Sequence, residues 1–300
     1  MKESLFYQKL AKNTVKCQIC NNYCIIKNKQ RGICNTRINN EGKLFSLTYQ
    51  QVVSEAIDPI EKKPLYHFLP GTYTYSYACV GCNFHCENCH NWQISQYPKI
   101  FKGKIIGKTV KANDIVSRAI AAKCPSISAT YTEPTIFLEF ALEVMKLAKN
   151  KKLKNIWVSN GYMSKETREI ILPYLDAINI DLKYFDDQFY KKYCGAKLEP
   201  ILNNLKYFKK NKVWVEVTTL AIPQRSDSKE MFTKIAKFIY HELGAETPWH
   251  ISRFFPEISY QLSGLSATPI NVIEQAVSIG KKIGLKNIYA GNISTSPLRL

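Results

Sequence analysis

The sequence lacks any hydrophobic run long enough to cross a bilayer. Its longest uncharged stretch, residues 64–86, is interrupted by two prolines, two glycines, three cysteines and two histidines. A spanning helix needs about 20 predominantly apolar residues. The first sixteen residues also lack the apolar core of a secretory signal. These absences exclude a transmembrane helix and predict a cytoplasmic protein.

Acidic residues are scarce: 24 Asp and Glu stand against 42 Lys and Arg, which gives a net charge of +18. Such an excess can attract nucleic acid or another acidic partner. The lysine runs at 146–154 and 205–212, however, fall where helices are predicted to end, and cations there stabilise the helix dipole. No continuous basic and aromatic stripe is present. We therefore interpret the charge as a solvated surface and do not expect nucleic-acid binding.

Internal repeats and low-complexity segments are also missing, and 45% of the residues are hydrophobic, which excludes wholesale disorder. A chain of 300 residues corresponds to one large or two ordinary domains. Regular alternation of strand and helix patterns is absent from about the first 65 residues and begins near residue 74. We expect a small cysteine-rich N-terminal subdomain, residues 1–65, and a core domain, residues 66–300.

The alternation after residue 74 predicts an α/β fold. Short β-branched or aromatic runs predict strands at Thr74–Ala78, Ile127–Tyr131, Asn155–Ser159, Ala177–Ile180, Trp214–Thr218, Trp249–Ser252 and Lys286–Tyr289. Helical periodicity predicts helices at Asn113–Lys123, Thr135–Lys149, Ser164–Leu172, Glu199–Lys210, Ser228–Leu243 and Thr268–Ile283. Asn113, Ser164 and the pair Thr268-Pro269 are predicted helix starts. Six strand–helix units and a last strand predict a parallel sheet that forms a partial (β/α)6 barrel.

The cysteine content indicates metal chemistry. Eight of the ten cysteines fall in two tight groups, whereas disulfide frameworks belong to short secreted chains. The central group is Cys82-x3-Cys86-x2-Cys89, directly after the first predicted strand. Three thiolates are one too few for a closed zinc site or a saturated [4Fe–4S] cluster. A cluster with one open iron could bind S-adenosylmethionine and cleave it reductively to a radical.

A second interpretation of the central group includes Cys79. Cys79-Val-Gly-Cys82 precedes the motif, and four ligands at 79, 82, 86 and 89 could hold structural zinc. We favour the open cluster because a barrel has a use for an open site at its mouth, whereas a zinc ribbon needs none.

Polar residues follow several predicted strands at their carboxyl ends. In a parallel barrel these ends form one mouth, where sites are built. The residues are Glu133 within Tyr131–Thr135, Asn160 within Ser159–Gly161, Asp181 and Lys183, Thr218 and Thr219, and His250 with Arg253. A single polar residue at a strand end is usually a turn former, but five such places beside one cysteine loop indicate a functional site.

Longer segments carry a resemblance to a known family. They include Asp58–Phe68, Pro70-Gly71, Gly81–Cys86, Asn91–Ser95, Tyr131–Thr135, Asn160–Tyr162, Asp181–Lys183, Cys194–Ala196, Val215–Leu220 and Trp249–Phe254. With these segments the chain resembles radical SAM enzymes, and more narrowly the radical SAM proteins of the AmmeMemoRadiSam system, which are relatives of pyruvate formate-lyase activating enzyme. The resemblance runs from about Cys17 to Asn292.

The resemblance implies a cofactor set and residue roles. Cys82, Cys86 and Cys89 would ligate a [4Fe–4S] cluster. Glu133 would bind the methionine amino group of S-adenosylmethionine. The ribose and methionyl parts of this cofactor would lie near Asn160, Asp181 and Lys183. Arg253 is a candidate for its carboxylate. The implied partners are an electron donor such as flavodoxin or ferredoxin, and a Memo-type protein.

Three departures from that family pattern stand out. Asn88 occupies the position before the third cysteine, where an aromatic residue is usual, so side-chain stacking near adenine is in doubt. Cys79 stands where a small or hydroxyl residue is common. The C-terminal cysteine pair of many members is missing.

The N-terminal cysteines form a separate set, Cys17-x2-Cys20-x3-Cys24 and then Cys34. Four thiolates saturate either zinc or an accessory iron–sulfur cluster, so no S-adenosylmethionine is expected there. A metal would stabilise a subdomain too small to bury much apolar surface. The spacing leaves zinc and a cluster equally open.

Two cysteines remain outside these sets. Cys124 is expected to end a helix and pack as a small apolar residue. Cys194 is expected in a loop after the fourth strand, where it is a weak candidate for a catalytic thiol or hydrogen donor, although an inert packed cysteine is the simpler interpretation.

The predicted function is that of a radical SAM enzyme that abstracts hydrogen from an unidentified substrate, by analogy a glycyl-radical activase. The alternative is a zinc or iron–sulfur protein without catalysis that binds nucleic acid or carries electrons.

Overall fold

The structure, a computed structural model, describes residues 1–293. It divides the chain into two compact units. The first comprises Met1–Phe84 and Asn91–Ile178; the second comprises His85–His90 and the chain from Asn179 onward. Among the described residues, no helix is both long and apolar enough to cross a membrane.

The N-terminal part of the first unit consists of two small antiparallel sheets, with strand orders β1-β6-β5 and β2-β3-β4. Their strands are β1 (Lys2–Glu3), β2 (Tyr7–Leu10), β3 (Thr14–Cys17), β4 (Ile25–Ile26), β5 (Arg37–Asn40) and β6 (Lys43–Ser46). In β3, Val15 and Cys17 are buried while their neighbours are half-buried, the alternation that a strand with one covered face requires.

Contacts far along the chain hold these small sheets against the rest of the unit. The main-chain N–H of Leu5 donates to Glu139 Oε1 at 3.1 Å. Cys20 forms an isolated antiparallel bridge with Met163, and Asn21 Nδ2 donates to the Met163 carbonyl at 2.6 Å. The N-terminal residues therefore pack on the middle of the chain.

The remainder of the first unit is a sheet covered by helices. Its strands are β7 (Gln51–Pro59), β8 (Tyr73–Cys79), β9 (Lys108–Thr109), β10 (Ser126–Ala129) and β11 (Lys154–Ser159), in the order β9-β7-β8-β10-β11. Strands β8, β10 and β11 run parallel, whereas β7 is antiparallel to both of its neighbours. The helices are α1 (Trp92–Ser95), α2 (Tyr97–Ile100), α3 (Ala112–Ala121), α4 (Leu138–Asn150) and α5 (Lys165–Ile171).

The second unit repeats the strand–helix alternation. Its strands are β12 (Ala177–Asp181, of which Asn179–Asp181 belong to this unit), β13 (Trp214–Ala221), β14 (Trp249–Arg253) and β15 (Ile288–Gly291), in the order β15-β14-β13-β12. Strands β13, β14 and β15 are parallel. The helices are α6 (Asp187–Cys194), α7 (Leu198–Lys210), α8 (Lys229–Phe238), which continues as a π-helical turn at Ile239–Leu243, and α9 (Ile270–Ile283).

The α/β fold with a largely parallel sheet is confirmed, but two predicted helix starts are wrong. Asn113 is the second residue of α3; the N-cap is Lys111, because the buried Ala112 already belongs to the helix. Helix α9 begins at Ile270 with Pro269 as its N-cap, one residue later than predicted. The Ser164 cap is confirmed: its Oγ accepts the Thr167 N–H at 3.2 Å.

The sequence analysis also missed the short helices α1, α2 and α6, and it misplaced two cysteines. Helix α6 was not predicted, and Cys194 is its last residue rather than part of a loop. Gly195, with φ +69°, ends that helix in the left-handed conformation. Cys124 is buried as predicted, yet it lies three residues beyond the end of α3.

Candidate active site

The central cysteine motif begins in the loop after β8, in the first unit. Gly81 has φ +106°, and a Cβ there would lie 2.5 Å from Thr36 Cγ2, so the loop needs glycine at this position. Cys82 follows and is half-buried. Its Sγ accepts the Phe84 main-chain N–H at 3.4 Å and lies 3.8 Å from Asn160 Nδ2. Donors at a sulfur stabilise its thiolate form, the form that ligates metal.

Glu133 lies at the end of the loop after β10 and is the N-cap of a short 3-10 turn. Its carboxylate is buried. Oε1 accepts from Thr135 N at 3.0 Å, from Thr135 Oγ1 at 2.6 Å and from Ser159 Oγ at 2.8 Å. Burial raises the pKa of Glu133, and these hydrogen bonds oppose the shift. The carboxylate is thereby fixed in one orientation.

Asn160 connects this carboxylate to the cysteine loop. Its main-chain N–H donates to Glu133 Oε2 at 2.8 Å, and its side-chain Nδ2 donates to Asn83 Oδ1 at 2.7 Å. Its own Oδ1 accepts the Tyr162 N–H at 3.0 Å. The first unit thus brings Cys82, Glu133 and Asn160, three residues singled out from the sequence, into one hydrogen-bonded network.

The other two cysteines of the motif belong to the second unit. Cys86 is buried, with its Sγ 3.5 Å from Cys194 Sγ. Cys89 is half-buried, and its N–H donates to the Cys86 carbonyl at 3.2 Å. Cys194 is itself completely buried, so it neighbours a predicted ligand and is not open to solvent.

A half-buried cation lies in the same unit. Lys183 Nζ is 2.7 Å from Asp181 Oδ2. Burial lowers the pKa of Lys183, but the negative charges of Asp181, Cys86 and Cys194 outweigh this effect and hold it well above its usual value. A permanent positive charge beside Cys86 favours the thiolate form of this cysteine.

His90, next to the third cysteine, is kept neutral by its surroundings. Burial, together with the charge of Lys183, lowers the pKa of His90 to about 4, although Asp181 opposes the shift.

Arg253 ends β14 and is half-buried. Its Nε donates to the Thr268 carbonyl, and its guanidinium lies 5.0 Å from the centroid of the Phe255 ring. His250, three residues earlier, lies inside the strand and pairs with Glu216 across 2.6 Å. These contacts make His250 a packed partner of a buried carboxylate, while the Nη atoms of Arg253 take no part in its bond to Thr268.

The two threonines predicted at the end of the fifth strand lie within it, because β13 extends to Ala221. Thr218 Oγ1 lies 2.9 Å from Asn179 Oδ1, and Thr219 Oγ1 donates to the Leu182 carbonyl at 3.0 Å. Both side chains bond to neighbouring elements of the second unit.

A buried ionic group beside the Glu133 loop was missed in the sequence analysis. The hydroxyl of Tyr131, a residue with φ +63°, donates to Asp58 Oδ2. Lys63 Nζ lies 2.6 Å from the same oxygen and 4.2 Å from the Tyr131 ring centroid. Burial lowers the pKa of Lys63 to about 8 even though Asp58 opposes the shift. Its residues stand in the segments Asp58–Phe68 and Tyr131–Thr135, and neither segment indicated an ion pair.

Two of the departures noted in the sequence can be located. Asn88 is buried, and among the described residues its Oδ1 accepts no hydrogen bond. Cys79 is the completely buried last residue of β8, and burial raises the pKa of its thiol far above the usual range. Cys79 thus lies within the strand, whereas Cys82 follows in the loop after it.

These features define a class: an α/β protein with parallel strands, a three-cysteine loop after one of them, and thiols that have hydrogen-bond donors or a cation beside them. Residues 77–239, more than half of the chain, match the family model of the radical SAM superfamily. An uncharacterized protein of Methanocaldococcus jannaschii is 45% identical over 98% of this chain and 86% of its own length. The chain therefore belongs to the radical SAM superfamily.

Two further comparisons are more distant. Pyruvate formate-lyase-activating enzyme of Clostridium pasteurianum is 25% identical over 53% of this chain and 66% of its own. The structure of a radical SAM methyltransferase from Sphaerobacter thermophilus superposes with a TM-score of 0.57 at 12% identity, over 77% of this chain and 70% of that one, and supports the fold alone.

Membership of the superfamily gives this protein a [4Fe–4S] cluster and S-adenosylmethionine as cofactors. The residues present fit them. The donors around Cys82 and the Lys183 cation suit thiolate ligands, and Glu133 offers a desolvated carboxylate that would be stabilised by a cation.

Proposed function

We propose that the chain cleaves S-adenosylmethionine reductively at a [4Fe–4S] cluster held by Cys82, Cys86 and Cys89, and that the 5′-deoxyadenosyl radical then abstracts hydrogen from a substrate. One observation carries the proposal. Asn160 joins Glu133, the proposed acceptor of the methionine ammonium, to the loop of Cys82 through bonds of 2.8 and 2.7 Å. A ligand bound to both groups would have its orientation set by one residue.

The cluster supplies a single electron to the sulfonium when it is bound and reduced. The protein's own contribution is to hold the partners. The Phe84 N–H and the Asn160 amide lie beside Cys82 Sγ and stabilise its negative charge. An ammonium beside the buried Glu133 would offset the desolvation that raises its pKa.

The remaining cofactor contacts are proposed in the second unit. We assign the ion pair of Asp181 and Lys183 to the ribose and methionyl parts, since it offers both an acceptor and donors at the end of β12. Arg253 is assigned to the carboxylate, because its Nη donors are not used by the bond from Nε to Thr268. Cys194 is assigned as a packed neighbour of Cys86 and not as the catalytic thiol.

The substrate class proposed is a glycine residue of a protein, which would make the chain an activase of a glycyl-radical enzyme or a related radical SAM protein of the AmmeMemoRadiSam system. The matches to activating enzymes of C. pasteurianum and Klebsiella oxytoca support this proposal. A flavodoxin or ferredoxin would then supply electrons, and a Memo-type protein would be a partner.

The cleavage is tested with anaerobically reconstituted protein, reduced with dithionite and supplied with S-adenosylmethionine. We expect 5′-deoxyadenosine from the wild type and at least a hundredfold less from Cys82→Ala, Cys86→Ala or Cys89→Ala. Cys79→Ala and Cys124→Ala are matched controls, since both thiols are buried outside the motif, and they should keep the activity. A brown wild-type protein that yields no 5′-deoxyadenosine would refute the proposal.

The substrate class needs its own measurement. A candidate glycyl-radical enzyme labelled with deuterium at its glycine α-carbons is incubated with the reduced enzyme and S-adenosylmethionine. We expect deuterium in 5′-deoxyadenosine and a glycyl radical in the electron paramagnetic resonance spectrum. Cleavage with neither deuterium transfer nor a protein radical would point to another substrate.

A further inference from the structure

The four N-terminal cysteines surround one cavity in the first unit. Cys17 ends β3, Cys20 and Cys24 follow in the next turn, and Cys34 precedes β5. All four line the cavity, and three of them are buried while Cys24 is half-buried. The apolar lining includes Ile19, Ile26 and Ile136. Residues spread over eighteen positions of sequence thus place four thiols around a shared space.

Two polar residues in the wall carry hydrogen-bond donors without acceptors. Arg37 is 1% exposed; its Nη atoms bond to Glu139 at 2.9 and 2.8 Å, but within residues 1–293 its Nε has no partner. Asn83 is also 1% exposed, and its Nδ2 has none, although its Oδ1 accepts from Asn160. A buried donor left unsatisfied costs about 1–3 kcal/mol. Both donors therefore indicate an acceptor that the polypeptide does not provide.

The unsatisfied donors of Arg37 and Asn83 favour a cluster over a single zinc ion. Zinc needs every sulfur at about 2.3 Å from one centre. In a cubane each thiolate binds a different iron, so the sulfurs stand further apart, and the inorganic sulfides accept hydrogen bonds. Such sulfides match the unsatisfied donors of Arg37 and Asn83.

This cavity adjoins the first cysteine of the central motif. Asn83 lines the cavity and is the residue directly after Cys82. Asn22, another lining residue, donates through its Nδ2 to the Asn83 carbonyl at 3.2 Å. A Cβ built on Gly81 would lie 3.6 Å from the Cys34 carbonyl. The loop that carries Cys82 therefore packs directly on the loop that carries Cys34.

We propose that Cys17, Cys20, Cys24 and Cys34 bind a second [4Fe–4S] cluster that passes single electrons toward the cluster at Cys82. A one-electron donor protein with a flavin or an iron–sulfur centre would reduce it from the 2+ to the 1+ state. It returns to 2+ when the electron moves on, and no bond to the chain forms or breaks. The site itself is independent of the proposed function, whereas the relay rests on it.

The variant Cys82→Ala/Cys86→Ala/Cys89→Ala isolates the second site. After anaerobic reconstitution we expect half of the wild-type iron and sulfide, and a cubane signal in the electron paramagnetic resonance spectrum that S-adenosylmethionine does not change. Cys124→Ala should retain all of the iron. Zinc in place of iron, or no metal, would overturn the proposal. If the triple variant does not fold, Cys89→Ala, at a half-buried position, gives the same readout.

The same variant tests the relay. Reduced flavodoxin should reduce its remaining cluster, and in wild-type protein that signal should appear before 5′-deoxyadenosine is formed. A second cluster that flavodoxin leaves oxidised would overturn the relay while the site stands. Wild-type protein that holds both clusters but never cleaves S-adenosylmethionine would instead refute the proposed function.

Discussion

Cys79 and Cys82 lie three residues apart and have opposite surroundings. Cys79 ends a buried strand, and burial raises the pKa of its thiol; Cys82 is half-buried and receives an N–H from Phe84. Sequence spacing alone could not separate them, because burial is set by the packing of β8 and not by the motif. Three ligands in this loop, without Cys79, remain a proposal, and the Cys79→Ala control tests it.

A substitution of Glu133 tests how much the binding of S-adenosylmethionine depends on this one carboxylate. Glu133→Gln keeps the shape but removes the charge, and hydrogen bonds to charged groups contribute about 1.5–3 kcal/mol. We expect S-adenosylmethionine to bind at least tenfold more weakly in equilibrium dialysis, with the iron content unchanged. Thr132→Ala is the control, since the Thr132 hydroxyl bonds to the Cys79 carbonyl instead of to the carboxylate. Unaltered affinity in Glu133→Gln would show that Glu133 does not bind S-adenosylmethionine.

The lowered pKa of the buried Lys63 should make the stability of the protein depend on pH. The lysine pKa is about 8 in the folded state and 10.5 ordinarily. Between these values the unfolded chain binds more protons, so the free energy of unfolding should rise with pH in this window, by up to about 3 kcal/mol. Below pH 8 both states are protonated and the cost of the buried charge is fully present.

The measurement is urea unfolding of the wild type and Lys63→Met between pH 7.5 and 10.5. As the pH rises, the free energy of unfolding of the wild type should increase relative to that of Lys63→Met. A constant difference would show that Lys63 does not titrate in this window.

At the scale of elements, strands were easier to predict than helix starts. The apolar runs at Ile127, Ile156 and Ile178 are buried in β10, β11 and β12, and their short length and their β-branched or aromatic content identify strands. Helix α6 was missed because its segment, with mostly polar and aromatic residues, buries only Tyr190 and Cys194. Helix starts depend on which residue finds a backbone donor, which spacing does not fix.

Ser164, the N-cap of α5, and Asn113, which lies inside α3, give a matched pair of variants. Ser164 Oγ accepts the Thr167 N–H and donates to the Gln18 carbonyl at 2.7 Å, so Ser164→Ala should lower the free energy of unfolding by about 1–2 kcal/mol. Asn113 is exposed inside α3, and Asn113→Ala should change the free energy of unfolding by less than about 0.5 kcal/mol. Equal effects in urea unfolding would contradict the assigned caps.

At the scale of the whole molecule, the alternation of strand and helix patterns predicted the fold class but not how the N-terminal residues attach to the rest of the first unit. The cysteine spacing identified both sets, yet Arg37 and Glu139 carried no sequence signal, since 102 positions separate them. Only long-range packing brings β5 and α4 together. The same reason hid the contact between the Cys34 loop and the Cys82 loop.

Variants of the ion pair between Arg37 and Glu139 test how strongly the N-terminal residues are attached. Both side chains are 2% exposed, and their charged atoms are 2.8 Å apart. Glu139→Leu should destabilise the protein by about 3–5 kcal/mol, because it leaves a buried cation unpaired. The double variant Arg37→Met/Glu139→Leu should recover most of this loss in urea unfolding. A double variant as unstable as the single one would show that volume, not charge, is the cause.

The attachment of the first strands also sets an order of events during synthesis. Leu5 bonds to a residue 134 positions later, and Asn21 to one 142 positions later. A ribosome releases the N-terminal thiols long before those partners emerge, and contacts of such separation form slowly. The four thiols must therefore stay reduced on an unfinished chain. Assembly of the protein in the cell should consequently be more sensitive to oxygen than the completed protein is.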